Sequence, residues 1–343
     1  MKHRLTIVLL VGAGIFYTAC TTNTGTTTAS DTASTAANNV ATSSDPLPSW
    51  NDGALKTAII DFVTNAAKEG NANFIPPEKR IATFDNDGTL WAERPYVQEL
   101  FAFYMVKKLV QAKPELAKKQ PFKAVVEGDK ATLAKGGEKM LLELVGATHA
   151  GTTEDVFEAN VKAFFDSAVY PLHGNTVPLK NITYQPQIEL LNYLRANGFK
   201  TFIVTGGTIE LVRGISMSLY NIPKEQVVGT TFKYKFVDSN NSMMRLADIA
   251  LMDDKEGKPV GIQQHIGQRP AFACGNEGGA GDIAMLKYSS GNSFPTFQMI
   301  VNHDDSTREF FYQEKDSASL KAAAKNNWHV ASMKNDWKEV FVK

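Results

Sequence analysis

Residues 81–89 read Ile81-Ala82-Thr83-Phe84-Asp85-Asn86-Asp87-Gly88-Thr89. The short apolar run suits a buried strand. Two carboxylates, two residues apart, follow at its end and precede a glycine. If the chain turns there, both acids face one cavity. A carboxylate can attack phosphorus and form an aspartyl phosphate, while a second acid beside it protonates the leaving oxygen and then deprotonates water. Adjacent acids also need a cation, and oxygen ligands of this kind suit Mg²⁺. An Asp-rich turn capping the next helix is the plain alternative. The strand before and Gly88-Thr89 after weight the reading toward chemistry.

Three further apolar runs resemble the first: Thr201-Phe202-Ile203-Val204, Ala271-Phe272-Ala273-Cys274 and Gln298-Met299-Ile300-Val301. Helical patterns lie between and after them, at 186–197 with Ile188, Leu191 and Leu194 on one face, at 209–220 and at 282–288. Strands alternating with helices predict a doubly wound α/β fold, a parallel sheet covered on both faces. Polar, Gly-rich loops follow the second and third strands: Thr205-Gly206-Gly207-Thr208, and the stretch from Gly275-Asn276-Glu277 to Asp282. Ligands of open α/β sheets bind beyond the carboxyl ends of the strands, so three loops converge on one edge. The interval 95–180 breaks the rhythm. Its patterns at 97–112, 138–145 and 153–167 are helical, and it reads as an inserted α-helical cap whose aromatics form the cap's own core.

The Thr205 hydroxyl and the Gly206 N–H can hold phosphoryl oxygens at a helix start. Lys258 can neutralise charge on a phosphoryl group and on Asp85. Glu93 and Arg94 follow the first motif closely enough to line the mouth of a substrate site, Glu93 meeting an amine and Arg94 a carboxylate; pairing with each other or with solvent is the equal alternative. His303-Asp304-Asp305 also ends a strand, where a charged surface turn is the plainer reading.

Asp-x-Asp-Gly-Thr, Thr-Gly-Gly, then Lys and a Gly-rich acidic loop, in this order, resemble the haloacid-dehalogenase (HAD) superfamily of phosphohydrolases. With the helical insert, the chain looks most like the phosphoserine-phosphatase-like branch. The resemblance implies a HAD-like, Rossmannoid core at 47–94 and 181–343 with a cap at 95–180. It implies Asp85 as nucleophile, Asp87 as general acid/base, and Thr205, Gly206 and Lys258 at the phosphoryl group. Mg²⁺ would sit on Asp85, the Asp87 backbone carbonyl and the acidic loop. That family usually has an Asp directly after the glycine ending the third strand; here Asn276 stands there and Asp282 comes six residues later. The loop ligand is thus Asp282, with Asn276 or Glu277 beside it. Dehalogenating relatives lack the second Asp, so Asp87 favours phosphate esters, and the implied substrate is a small phosphorylated metabolite. A phosphotransferase or other hydrolase on the same scaffold, or a weakly catalytic ligand-binding lipoprotein, are the alternatives.

The 343 residues carry 36 Lys+Arg against 36 Asp+Glu. Zero net charge offers no footprint for nucleic acid. Lys2-His3-Arg4, an apolar run from Leu5 to Tyr17 and Thr18-Ala19-Cys20 have the layout of a bacterial export signal, too short to span a membrane comfortably. The small-residue pair before Cys20 resembles a lipoprotein signal at 1–20, with lipid on Cys20; an ordinary cleaved signal is the alternative. Residues 21–46, rich in Thr, Ser and Ala, read as a flexible tether. The expected location is exported and lipid-anchored, facing the periplasm or cell exterior, with membrane contact through Cys20 alone. Cys274 then has no disulfide partner and reads as a buried small hydrophobe.

Overall fold

The structure, a computed structural model, describes residues 45–343 apart from His173 and Gly279. The signal segment with Cys20, and the tether as far as residue 44, lie outside the described residues. Helix α1 (Ala54–Ala67) precedes strand β1 (Ile81–Phe84). The insert follows as α2 (Val97–Ala112), α3 (Phe122–Glu127), α4 (Lys130–His149), α5 (Glu154–Ser167) and a hairpin of β2 (Val169–Leu172) and β3 (Asn175–Pro178). The chain returns through α6 (Gln185–Ala196), β4 (Lys200–Thr208), α7 (Ile209–Tyr220), β5 (Val227–Val237), β6 (Ser242–Leu251) and α8 (Gly257–His265). It ends with β7 (Phe272–Asn276), α9 (Ile283–Ser290), β8 (Phe297–Asn302), α10 (Ala318–Asn326), β9 (His329–Ser332) and α11 (Met333–Asp336).

Seven strands form one sheet in the order β6-β5-β4-β1-β7-β8-β9. All neighbours are parallel except β5 and β6. From β1 the chain winds outward through β4, β5 and β6, then crosses back to β7 on the other side of β1. The topological switch point therefore lies between the carboxyl ends of β1 and β7, where open α/β sheets hold ligands.

Alternation along each strand feeds two cores. Phe84, Ile203, Phe272, Cys274 and Val301 pack against α1, α6 and α7 on one face. Val204, Ala273 and Ile300 pack against α8, α9 and α10 on the other. Near-continuous apolarity in the central strands follows from this double covering. The termini of the described chain meet where the Trp50 and Trp337 rings pack edge-on, 5.9 Å apart.

Two features depart from the expected outline. The hairpin β2–β3 ends a stretch read as wholly helical; Pro171 and Pro178 deny it helical N–H groups, and Gly174, at φ +75°, allows the turn. Residues 227–251 form a long antiparallel ribbon that reaches the insert, where Thr153 bridges Met244. Among the described residues no helix is long and apolar enough to cross a membrane.

Candidate active site

The first loop leaves β1 with the ladder still intact, because the Asp85 N–H donates to the Cys274 carbonyl at 2.9 Å. The turn then closes on itself. The Gly88 N–H donates to the Trp91 carbonyl at 2.9 Å, and the Trp91 indole N–H donates to Asp87 Oδ1, also at 2.9 Å. Gly88 sits at φ +79°, and a Cβ there would collide with the Asn276 amide. Two independent reasons thus demand glycine.

Lys258, in the first turn of α8, is the hub of the buried charges. Its ammonium donates to Asp85 Oδ1 at 2.6 Å, to Asp282 Oδ1 at 2.6 Å and to the Val204 carbonyl at 2.9 Å. All three protons are used. The second Asp85 oxygen accepts from the Thr89 hydroxyl at 3.2 Å. Asp282 Oδ2 accepts the Asn276 N–H at 3.0 Å, and Asn276 Nδ2 donates to Glu93 Oε2 at 3.2 Å. Asp85, Lys258, Asp282, Asn276 and Glu93 therefore form one hydrogen-bonded chain, gathered from the ends of β1 and β7 and the starts of α8 and α9.

One lysine shared between two buried carboxylates leaves an excess of negative charge. Burial pushes the Asp85 carboxyl well above its ordinary range, and the like charge of Asp282 adds to this against the pull of Lys258. Burial works against the charge on Lys258, but Asp282 and Asp85 outweigh it and hold the ammonium protonated. Asp87 is raised by burial, with the Trp91 N–H pulling it down. Glu93 is pushed up to about 7 by burial, against Arg94 and the Tyr312 hydroxyl.

Thr205 ends the regular part of β4, where the register shifts before Thr208. Its oxygen accepts the Gly207 N–H at 3.0 Å, which leaves its hydroxyl proton free to donate. Gly206 is oriented through its carbonyl, which accepts from Thr230 at 2.7 Å. Gln98 of α2 reaches down onto this loop, accepting the Thr208 N–H at 3.3 Å. A side chain at Gly207 would strike the Gln98 amide. Gln98 is thus a site residue that carries no local signal in the sequence.

Arg94 lies 3.9 Å from Glu93, its guanidinium over the rings of Tyr96 and Tyr312. With Gly278, Tyr312 and Lys315 it lines a cavity of about 350 Å³. Glu277 turns away, both carboxylate oxygens taking the Glu314 N–H at 3.0 Å. The Cys274 thiol is buried, and burial raises its ionisation above the ordinary range, as suits an inert core residue.

The segment 303–305 is not a surface turn. His303 is wholly buried, with Nε2 2.8 Å from the Gly88 carbonyl and Nδ1 3.0 Å from Glu309 Oε2. Asp304 accepts from the Ser332 hydroxyl at 2.6 Å, and Asp305 pairs with Arg308. Both aspartates thus hold the loop after β8 in place. A polar residue ending a buried strand at the site edge was the available signal for His303.

Among the described residues, no three side chains of His, Cys, Asp and Glu group into a cage for a metal ion. Two of the expected donors, Asp85 and Asp282, share the Lys258 ammonium, and the third, Asn276, is an amide. That set nevertheless fits a hard divalent cation. The Asp85 and Asp282 carboxylates, the Asn276 amide and the Asp87 carbonyl are all oxygen donors, and their charge exceeds what Lys258 neutralises.

A family model described as haloacid dehalogenase-like hydrolase matches residues 82–287, more than half of the chain. No curated protein matches the sequence. In fold the chain is similar to a conserved functionally unknown protein from Anaerococcus prevotii DSM 20548, at TM-score 0.58 and 14% identity over 86% of this chain and 98% of that one. A protein of unknown function from Bordetella pertussis Tohama I aligns at TM-score 0.48 and 15% identity, over 74% of this chain and 99% of that one. A phosphoserine phosphohydrolase-like protein from Francisella tularensis subsp. tularensis SCHU S4 aligns at TM-score 0.39 and 18% identity, over 74% and 94%. The first likeness concerns fold alone, and the other two are too distant to carry an argument.

Proposed function

The chain belongs to the haloacid dehalogenase-like hydrolases, and we propose that it is a Mg²⁺-dependent phosphomonoester hydrolase acting through an aspartyl phosphate on Asp85. The observation that carries this reading is the Lys258 ammonium held 2.6 Å from both Asp85 and Asp282 at the topological switch point. A buried carboxylate so held is oriented for attack, and Lys258 offsets part of the burial that favours its protonated form.

The Asp85 carboxylate attacks phosphorus, and a P–O bond to Asp85 forms as the ester P–O bond breaks. Asp87 gives its proton to the departing oxygen, a task suited to a carboxyl whose proton is held more tightly than usual. Asp87 then takes a proton from water, which attacks phosphorus and releases Asp85 and inorganic phosphate. The Thr205 hydroxyl and the Gly206 N–H hold the phosphoryl oxygens, and Lys258 balances the charge that gathers there. Asp85, Asp282, Asn276 and the Asp87 carbonyl would hold Mg²⁺, which when bound offsets the phosphoryl charge and the surplus carboxylate charge. The leaving group of a small phosphorylated molecule would meet Arg94, which lines the cavity, with Glu93 buried behind it.

The test is phosphate release from para-nitrophenyl phosphate and a broad panel of phosphate esters, with and without Mg²⁺, beside Asp85→Asn. Chelation and Asp85→Asn are each expected to lower the rate by about 10³-fold or more, the scale on which a nucleophile and its charge partner act. A wild type no faster than the variant on every ester refutes the reading.

A further inference from the structure

A second buried polar group ends on the catalytic turn from behind. His303 follows β8, on the far side of β7 from the nucleophile's strand, and its Nε2–H donates to the Gly88 carbonyl at 2.8 Å. Its other nitrogen lies 3.0 Å from Glu309 Oε2. The second Glu309 oxygen accepts from the Tyr184 hydroxyl at 2.8 Å. The Tyr312 ring stacks on the imidazole, centroids 4.1 Å apart and planes 20° apart. His303, Glu309 and Tyr184 are all fully buried.

Such a relay is a costly way to fill space. Buried polar groups lose hydration, and an apolar side chain of similar volume would pack there with no such penalty. What the relay gains is one fixed hydrogen bond to the Gly88–Thr89 peptide, one residue beyond Asp87. The other closures of this turn, Gly88 N–H to Trp91 and the Trp91 indole to Asp87, are local to it. His303 alone among these ties the turn to another strand of the sheet. The turn is held from outside at Leu90 and Ala92 as well, by Tyr184 and Ile182, but at left-handed Gly88, the residue next to Asp87, the outside hydrogen bond is that of His303.

We propose that His303, oriented by Glu309, is a positioning residue that fixes the angle at which Asp87 meets the leaving oxygen. This rests on the reading of Asp87 as the acid/base of a phosphatase. It implies a defect specific to proton donation, which falls on esters whose leaving group needs a proton and spares those whose leaving group does not. A purely structural role would slow both alike.

Para-nitrophenyl phosphate and phenyl phosphate differ little in shape, but the phenolate is much the more basic leaving group. Both would be assayed with the full chain and its His303→Leu and His303→Gln variants, after thermal melts have shown each to be folded. His303→Leu is expected to lower kcat on phenyl phosphate by about 30-fold or more and on para-nitrophenyl phosphate by only about 3-fold, with KM little changed, since general acid catalysis supplies at least this much. His303→Gln, which retains an N–H donor, is expected to recover most of the loss. Equal losses on the two esters, or Gln no better than Leu, overturn the proposal and leave the phosphatase reading intact. A wild type no faster than Asp85→Asn refutes that reading and this proposal with it. Should His303→Leu fail to fold, Glu309→Gln takes its place: a loss weighted toward phenyl phosphate supports the proposal, and equal losses overturn it.

Discussion

Beneath Lys258 lies a carboxyl that takes no part in its hydrogen-bonded chain. Asp253 is fully buried, and among the described residues neither of its oxygens has a hydrogen-bond partner. Burial pushes its proton affinity up to about 8, with Lys258 pulling it down and Asp254 adding to the rise. The sign of the pH effect follows. Folded Asp253 keeps its proton to about 8, whereas the unfolded chain releases it near 4. The stability it contributes is whole below about pH 4 and is lost as pH rises toward about 8. Asp253→Asn, which cannot ionise, should therefore gain on the wild type by an amount on the order of a few kcal/mol between about pH 5 and about pH 8, measured by urea unfolding without metal. A constant difference across that range would mean that Asp253 is ionised in the fold. At this scale the sequence displays the groups that sit at strand ends in a fixed order, Asp85, Asp87 and Thr205, and through them Lys258. It hides Glu309 and Gln98, and it shows His303 only as the end of a strand, since their roles depend on partners remote along the chain; His303 and Gly88 are 215 residues apart.

Helices with clear apolar periodicity were legible because burial on one face imposes their period, and α7 spans the residues its pattern outlines. The ribbon β5–β6 was not read, though Phe232, Tyr234 and Phe236 alternate with Lys233 and Lys235 at the strand period. Its function as an element is to tie the insert to the core. Arg245 of β6 is buried between the rings of Phe157 and Phe232, 4.8 Å and 3.9 Å from their centroids, and pairs with Glu210 of α7 at 3.2 Å. Its backbone N–H donates to Thr152 at 3.0 Å and its carbonyl accepts from Gly151 at 2.8 Å. Removing the guanidinium leaves Glu210 without its cation and empties the slot between two rings. Arg245→Ala should lower the unfolding free energy by about 3 kcal/mol, read from urea midpoints at constant slope. A loss under about 0.5 kcal/mol, the size of an ordinary surface change, would show that the insert is held by other contacts.

For the molecule as a whole, Asp85, Lys258 and Asp282 meet only because the chain winds outward from β1 and returns beside it. Asp85 and Lys258 are 173 residues apart, yet lie 2.6 Å from each other. The order of the motifs foretold this convergence for Asp85, Thr205 and Asn276, since each closes a parallel strand and parallel strands end at one edge; Lys258 joins them on α8, after the antiparallel β6. The third loop was harder to read from sequence, because its ligand chemistry depends on whether Asn276 faces the site or its wall, and Glu93 decides that by taking the amide N–H. The account as a whole stands on Asp85 becoming covalently phosphorylated. Rapid acid quench of the full-length protein during turnover of a phosphate ester, reduction of acyl phosphate with borohydride and peptide mass spectrometry would locate the modified residue. Conversion of Asp85 alone, abolished by Asp85→Asn, is the predicted result; turnover with no modified aspartate, or with the mark on another residue, would contradict it.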